Sequence, residues 1–314
     1  MKVLTVATRG GELAFAQTKI VTDALRKIYP DIKAEINKVT TKGDRDRRTA
    51  LWDLKTSGFF TSRVEDVLLA AEADLAVHSF KDLPTRPREG LAIAAVCDRA
   101  FAEDCLVSAA PLSAIDQLKE CAKIGTSSLR RAVQLKQLRP DLRATPIRGN
   151  VQTRIRKLDK GDFDAIILAR AGVERIGLGK KISFSFDPKL FIPAPAQGAL
   201  AVQTRSDDGQ THKLVAAIDD AKVRTITSAE RQVLVTMQCG CRAPVGAFAS
   251  IDGNEIEICA FIADPQGRTF IKRELTGPVS KAEELAEQIA GELLQAGGKE
   301  ILAQLEKVKD ENGS

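Results

Sequence analysis

The chain has 314 residues, 44% of them hydrophobic, enough for two or three domains with separate cores. A balance of 47 Lys and Arg against 42 Asp and Glu leaves a net charge of only +5, and one Trp and one Tyr offer little surface for stacking bases, which argues against nucleic acid as the partner. No apolar run approaches the ~20 residues of a membrane-spanning helix, no secretory leader precedes the first strand pattern, and six scattered cysteines make no disulfide framework, so a reducing cytoplasm is the expected compartment.

Residues 3–8 predict a buried strand and residues 13–28 a helix, with Leu13, Ala16, Ile20, Ala24 and Ile28 at helical spacing. Arg9 lies at that junction, where anions bind in open α/β sheets. Residues 34–40 predict a second strand. The polar stretch 41–58 is weakly periodic and reads either as a lid over a site or as a disordered surface loop. Val64, Val67, Leu68 and Ala71 mark a short helix. Residues 75–77 then form a brief buried strand that ends in His78-Ser79-Phe80-Lys81-Asp82-Leu83-Pro84. Lys81 and Asp82 read either as a surface ion pair on a turn or as working groups, the carboxylate stabilising a cation and the amine holding an anion. His78 reads as a packed or capping residue. Residues 91–96 predict another strand, and 101–107 carry the chain into a second domain.

The most basic stretch, residues 123–158, holds ten Lys or Arg and one acidic residue, Asp141. Ile124, the turn Gly125-Thr126-Ser127-Ser128 and the pattern Leu129, Val133, Leu135, Leu138 predict strand, tight turn and helix start. Thr126, Ser127 and Ser128 all suit the N-cap, and the free N–H groups of a first helical turn attract anions. Arg130 and Arg131 fall inside that turn, where the helix dipole disfavours positive charge, so they require an anionic partner. Arg148 follows a second strand pattern at 144–147, and Arg154 lies on the helix after it. Two helix starts thus aim arginines at one sheet edge, a cradle for a ligand with several carboxylates or phosphates; a solvated basic face is the plainer alternative. Residues 165–168 predict a strand and 170–176 a helix carrying Arg175. The proline-rich 191–198, which includes Gln197, leads into a strand at 199–203. Alternation of strand and helix to residue 203 predicts largely parallel sheets with helices on both faces.

From about residue 227 the texture changes. A helix at 229–237, strands at 244–251, 255–263 and 268–274, and a long amphipathic helix at 282–294 predict a small α+β domain with an antiparallel sheet. Between its first helix and strand, Cys239-Gly240-Cys241 is a weak metal signal; each thiol reads either as a buried structural residue or as a covalent attachment point in a loop.

Six segments occur in one order, HSFKDLP (78–84), GTSSLRR (125–131), RGNVQTR (148–154), ILARAGVERIGL (167–178), PAPAQGAL (193–200) and CGCRAPVG (239–246), and together the chain resembles the porphobilinogen deaminase family. The resemblance implies an α/β protein. Two doubly wound, periplasmic-binding-protein-like α/β domains, residues 1–98 with 199–218 and residues 99–198, would flank a cleft beside a small α+β domain, residues 219–314. It implies a transferase that joins four porphobilinogen molecules head to tail, with loss of ammonia, into hydroxymethylbilane. The primer would be a dipyrromethane cofactor in thioether linkage to Cys241, Cys239 being an extra thiol. Asp82 matches the family's catalytic carboxylate. Arg9, Lys81, Arg130, Arg131, Arg148, Arg154 and Arg175 match its carboxylate-binding set, Thr126, Ser127 and Ser128 add hydrogen bonds, and Phe60 and Gln197 belong to the lid and pocket. No metal is implied; a monomer is, with hand-off of product to a uroporphyrinogen III synthase. Two departures stand out. Gly11-Glu12 replaces the usual serine and proline after Arg9, and Lys55-Thr56-Ser57-Gly58-Phe59-Phe60 replaces the usual glycine-rich lid with its lysine. The rival readings are a bilobal polycarboxylate binder without catalysis, which would need neither Asp82 nor Cys241, and a family member whose activity is lost or altered, given Gly11, Glu12 and the changed lid.

Overall fold

A computed structural model describes residues 3–40, 61–239 and 243–311. The stretch expected as a lid, Phe60, and Cys241, the thiol expected to carry the cofactor, lie outside the described residues. The chain begins with β1 (Val3–Arg9), α1 (Glu12–Ile28), β2 (Lys33–Val39), α2 (Ser62–Leu69), β3 (Leu75–Ser79) and β4 (Leu91–Cys97). It continues through β5 (Asp104–Ser108), β6 (Lys123–Gly125), α3 (Leu129–Leu138), β7 (Arg143–Thr145), α4 (Val151–Asp159), β8 (Ala165–Ala169), α5 (Arg170–Arg175) and β9 (Phe184–Ser185). Then follow β10 (Leu200–Arg205), α6 (Gly209–Ala216), α7 (Ala221–Thr236), β11 (Val245–Asp252), β12 (Glu255–Ala263), β13 (Phe270–Pro278), α8 (Ala282–Leu293) and α9 (Lys299–Glu311).

Two compact units result. Among the described residues the first comprises those up to 40, 61–101 and Gln197–Thr225. Its sheet has the order β2-β1-β3-β10-β4. β1 runs parallel to β2 and β3, and β10 runs antiparallel to β3 and β4. Both faces are covered, which is why the strands read as continuous apolar runs. Leu4, Val6, Leu75, Val77 and Val202 pack with Val21 and Leu25 of α1 and Val215 of α6; Ala7, Val39 and Ala76 face Val64, Val67 and Leu68 of α2.

The second unit holds 102–196 and the described residues from Ile226 onward. Its five-stranded sheet, β7-β6-β8-β5-β9, repeats the plan, with β6 parallel to β7 and β8 and β5 antiparallel to its neighbours. In each sheet the antiparallel strand is one that follows a passage of the chain from one unit to the other, β5 on the way out and β10 on the way back.

The same unit carries the antiparallel sheet β11-β12-β13. Asp252 pairs with Glu255, so Gly253 and Asn254 form a two-residue turn, with Gly253 at φ 54°. Ile256, Ile258, Ala260 and Ile262 alternate toward α7 and α8, while Cys259, Phe261 and Ala263 face Val133 of α3 and Ile192. Three boundaries differ from expectation. α7 starts at Ala221 rather than 229, because its first turns carry few apolar residues to show a period. β13 runs to Pro278 because its whole length pairs with β12, from Phe270 opposite Ala263 to Pro278 opposite Glu255. Beyond 294 the chain turns at Gly297, φ 117°, and resumes as α9, whose Ile301 returns to the core. Among the described residues no helix is long and apolar enough to cross a membrane.

Candidate active site

In the first unit β3 delivers the Lys81–Asp82 pair. The strand ends at Ser79, and Phe80–Asp82 form one 3-10 turn held down by buried Phe80 and Leu83. The Phe80 N–H donates to the Ala199 carbonyl at 3.0 Å, tying the turn to the chain entering β10. Asp82 is exposed. Lys81 Nζ donates to Gln197 Oε1 at 3.0 Å, and Gln197 is wholly buried, so the amine is aimed by a fixed acceptor. Gln17 of α1 donates to Ser79 Oγ at 2.7 Å, bracing the strand end from the other side.

Arg9 closes β1, half-buried. The parallel register, Ala7 opposite Ala76, extends to place it beside His78. Burial, aided by the charge of Arg9 and only partly opposed by the nearby Gln203 amide, holds the His78 imidazole down at about 4. Gln203 in turn donates to Glu65 Oε1 of α2 at 3.1 Å. His78 is therefore a neutral packed residue that adds no positive charge next to Arg9, in line with its expected packing role. The Glu65–Gln203 link was not legible in the sequence, because its partners lie far apart along the chain.

In the second unit the turn after β6 needs Gly125: a Cβ there would stand 2.9 Å from Ile166 Cγ2. Thr126 N–H donates to the Thr145 carbonyl at 2.9 Å. Ser127 Oγ donates to the Ile147 carbonyl at 2.5 Å and accepts from Ile147 N–H at 3.0 Å, latching the turn to the chain beyond β7. Ser128 takes the N-cap position of α3 by its backbone, but its side chain makes no capping bond.

Arg130 and Arg131 have the anionic partner that their position demanded, and it is internal. Asp104, the first residue of β5 and wholly buried, accepts from Arg130 Nη2 at 2.7 Å through Oδ2 and from Arg131 Nη2 at 2.7 Å through Oδ1. Arg130 Nη1 also donates to the Ile192 carbonyl at 2.6 Å, and Arg131 Nη1 to that of Ile167 at 3.0 Å. Gln134, one turn along α3, holds both sides of Ile192, accepting from its N–H at 2.6 Å and donating to its carbonyl at 3.0 Å. The sequence reading missed Asp104 and Gln134. A lone acid opening an apolar strand was the available signal for Asp104.

Arg148 and Arg154 are set by the next turn. Gly149 has φ 114°, and a Cβ on it would meet Thr153 Cγ2 at 2.5 Å. Asn150 caps α4 by accepting from Thr153 N–H at 2.9 Å. Arg154 Nε donates to the Gly149 carbonyl at 2.8 Å, which folds the guanidinium back over the helix start. Burial first, then the charges of Arg131 and Arg148, together bring Arg154 down to about 10. Among the described residues Arg154 pairs with no carboxylate. Arg131, held by Asp104, and Arg148 thus stand as cationic neighbours of a partly desolvated Arg154. Arg175 ends α5 half-buried, while Arg170 on the same helix is paired with Glu103 at 2.9 Å and Glu174 at 3.2 Å.

Cys239 is buried in the core of the three-stranded sheet with Met237 and Val245. Gly246 lets β11 approach the crossover chain, since a Cβ there would stand 2.9 Å from the Ile192 carbonyl oxygen. No group of three or more His, Cys, Asp or Glu stands together as a metal site among the described residues. Planar guanidiniums in low dielectric suit ligands with several carboxylates, which they bind in charge-assisted and often bidentate pairs. The donor set therefore fits a dipyrromethane bearing acetate and propionate arms.

Comparison with known proteins gives a consistent answer. The family described as "Porphobilinogen deaminase, dipyromethane cofactor binding domain" matches residues 4–213, and "Porphobilinogen deaminase, C-terminal domain" matches residues 225–295. A porphobilinogen deaminase of Natranaerobius thermophilus is 40% identical over 97% of this chain and 99% of its own length. One from Desulforudis audaxviator is 40% identical over 96% and 97%, and one from Pelobacter propionicus 39% identical over the same shares.

Proposed function

This chain belongs to the porphobilinogen deaminase family, and we propose that it joins four porphobilinogen molecules head to tail into hydroxymethylbilane, releasing ammonia, on a dipyrromethane held by Cys241. The observation that carries this reading is the cluster of Arg131, Arg148 and Arg154, in which a partly buried guanidinium is flanked by two more cations. Each pyrrole unit brings two carboxylates, and a growing chain brings many.

Arg148 and Arg154 receive carboxylates directly, and Arg131 contributes its charge from behind. Thr126 and Ser128 stand at the free N–H groups of α3, a second anion-attracting feature of the same turn. Ser127 is a latch, not a ligand, because Ile147 takes its hydroxyl in both directions. Arg9, Lys81 and Arg175 hold further carboxylates, Gln197 orienting the Lys81 amine. When bound, the dipyrromethane supplies the nucleophilic pyrrole carbon and a tether that makes each addition intramolecular. Asp82, exposed at the end of β3, offers its carboxylate to pyrrole N–H groups and stabilises the positive charge that develops as ammonia leaves. The enzyme works as a cytoplasmic monomer and passes its product to a uroporphyrinogen III synthase.

Intact-mass spectrometry with a peptide map across residues 237–245 tests the reading. A dipyrromethane-sized addition on Cys241 supports it, and Cys241→Ala should lose that addition while Cys239→Ala keeps it. A chain that gains no mass even after incubation with porphobilinogen would overturn it. Asp82→Asn should keep the addition and lose nearly all turnover.

A further inference from the structure

We infer that Asp104 is a positioning residue for the carboxylate-binding arginines, acting through Arg130 and Arg131. Consecutive residues on a helix point about 100° apart and do not face each other. Arg130 and Arg131 converge because one carboxylate takes one guanidinium on each oxygen, at 2.7 Å to Arg130 Nη2 and 2.7 Å to Arg131 Nη2. A third bond, Arg131 Nε to Oδ1 at 3.2 Å, fixes the plane of the Arg131 guanidinium. All three side chains are buried, and two cations in a first helical turn are opposed both by desolvation and by the helix dipole. Asp104 halves the net charge of the pair and sets its geometry at once.

The consequence reaches past the pair. Arg131 lies close enough to Arg154 for its charge to weaken Arg154's hold on a proton, so the chain of influence runs from Asp104 through Arg131 to Arg154. With Asp104 in place, the cluster presents Arg154 and Arg148 to an incoming carboxylate while Arg131 stays fixed behind them. Replacing Asp104 by Asn keeps the shape but removes one negative charge and turns an N–H donor toward a guanidinium. One arginine is then released from its position, and the cluster carries one more positive charge.

This inference rests on the reading that the cluster holds substrate and cofactor carboxylates. The test uses holoenzyme whose cofactor loading has been checked by mass. Asp104→Asn should raise KM for porphobilinogen by about tenfold to a hundredfold, the scale of one charge-assisted bond, with a smaller change in kcat. It should also steepen the rise of KM with salt, because the cluster gains charge. Asp104→Glu, which keeps the charge, should recover part of the loss. A purely structural Asp104 would lower the yield of folded protein and leave KM and its salt dependence unchanged, and that result would overturn the inference. If Asp104→Asn alone does not fold, Arg131→Gln is compared with Asp104→Asn/Arg131→Gln. Little further change in KM supports action through Arg131, and a further tenfold rise refutes it. Arg154→Gln separates the two readings: an unchanged KM there sinks the carboxylate-binding assignment itself, whereas a raised KM alongside a wild-type-like Asp104→Asn sinks only the role of Asp104.

Discussion

Replacing Arg154 by Gln should move stability and binding in opposite directions. The guanidinium is half-buried, and burial with its two cationic neighbours brings it down to about 10. At about 1.4 kcal/mol per tenfold change in proton affinity, holding that charge in the fold costs on the order of 3 kcal/mol, or roughly 1–2 kcal/mol once solvent screening of a half-buried group is allowed for. The hydrogen bond from Nε to the Gly149 carbonyl returns about 1 kcal/mol and is lost in the variant. The net expectation for cofactor-free protein at neutral pH is a stability equal to wild type or up to about 1 kcal/mol higher. Binding goes the other way: losing a charge-assisted bond of ~1.5–3 kcal/mol raises KM about tenfold to a hundredfold. Urea melts and initial rates on the same preparation measure both. The sign with pH is also fixed. Folded Arg154 releases its proton before the unfolded chain does, so its penalty is fully present below about 10 and fades only as pH rises from there toward the ordinary arginine value. Any stability advantage of the variant should therefore be constant through neutral pH and begin to shrink only above about 10. A variant that loses more than about 2 kcal/mol of stability while KM stays unchanged would refute the reasoning.

Other predictions concern the supporting structure. Because the folded His78 imidazole sits at about 4, the unfolded chain takes up a proton first as pH falls below ~6.5; stability should drop between those values by up to about 3 kcal/mol, and His78→Gln should flatten that slope in a pH series of melts. Gly11→Ser should not restore a missing hydroxyl ligand. The backbone there has φ 121° and ψ 151°, a region nearly reserved for glycine, so the substitution should cost about 1–3 kcal/mol without lowering KM, as calorimetry and kinetics would show. Among the described cysteines Cys121 is exposed and should react first with a thiol reagent, whereas Cys105 and Cys259, whose thiols burial pushes up to about 12, should react only on unfolding.

Much of this protein is local and was therefore open to the sequence. The apolar runs of β1, β3 and β8, the turn at Gly125-Thr126-Ser127-Ser128 and the Gly253-Asn254 hairpin are set by side-chain period and backbone permissiveness within a few residues. The arginines of the second unit could be placed at two successive helix starts for the same reason, and the dipole argument already demanded an anion for Arg130 and Arg131. What the sequence could not supply was the identity of that anion. Asp104 lies on a different strand, and only the antiparallel insertion of β5 beside β8 brings its carboxylate to α3. The same limit hid the seating of Ile192 on Gln134 and the Glu65–Gln203 link. Composition and periodicity decide which residues are helix, strand or turn; which charge meets which is decided by strand order, and strand order depends on contacts between residues far apart in the chain.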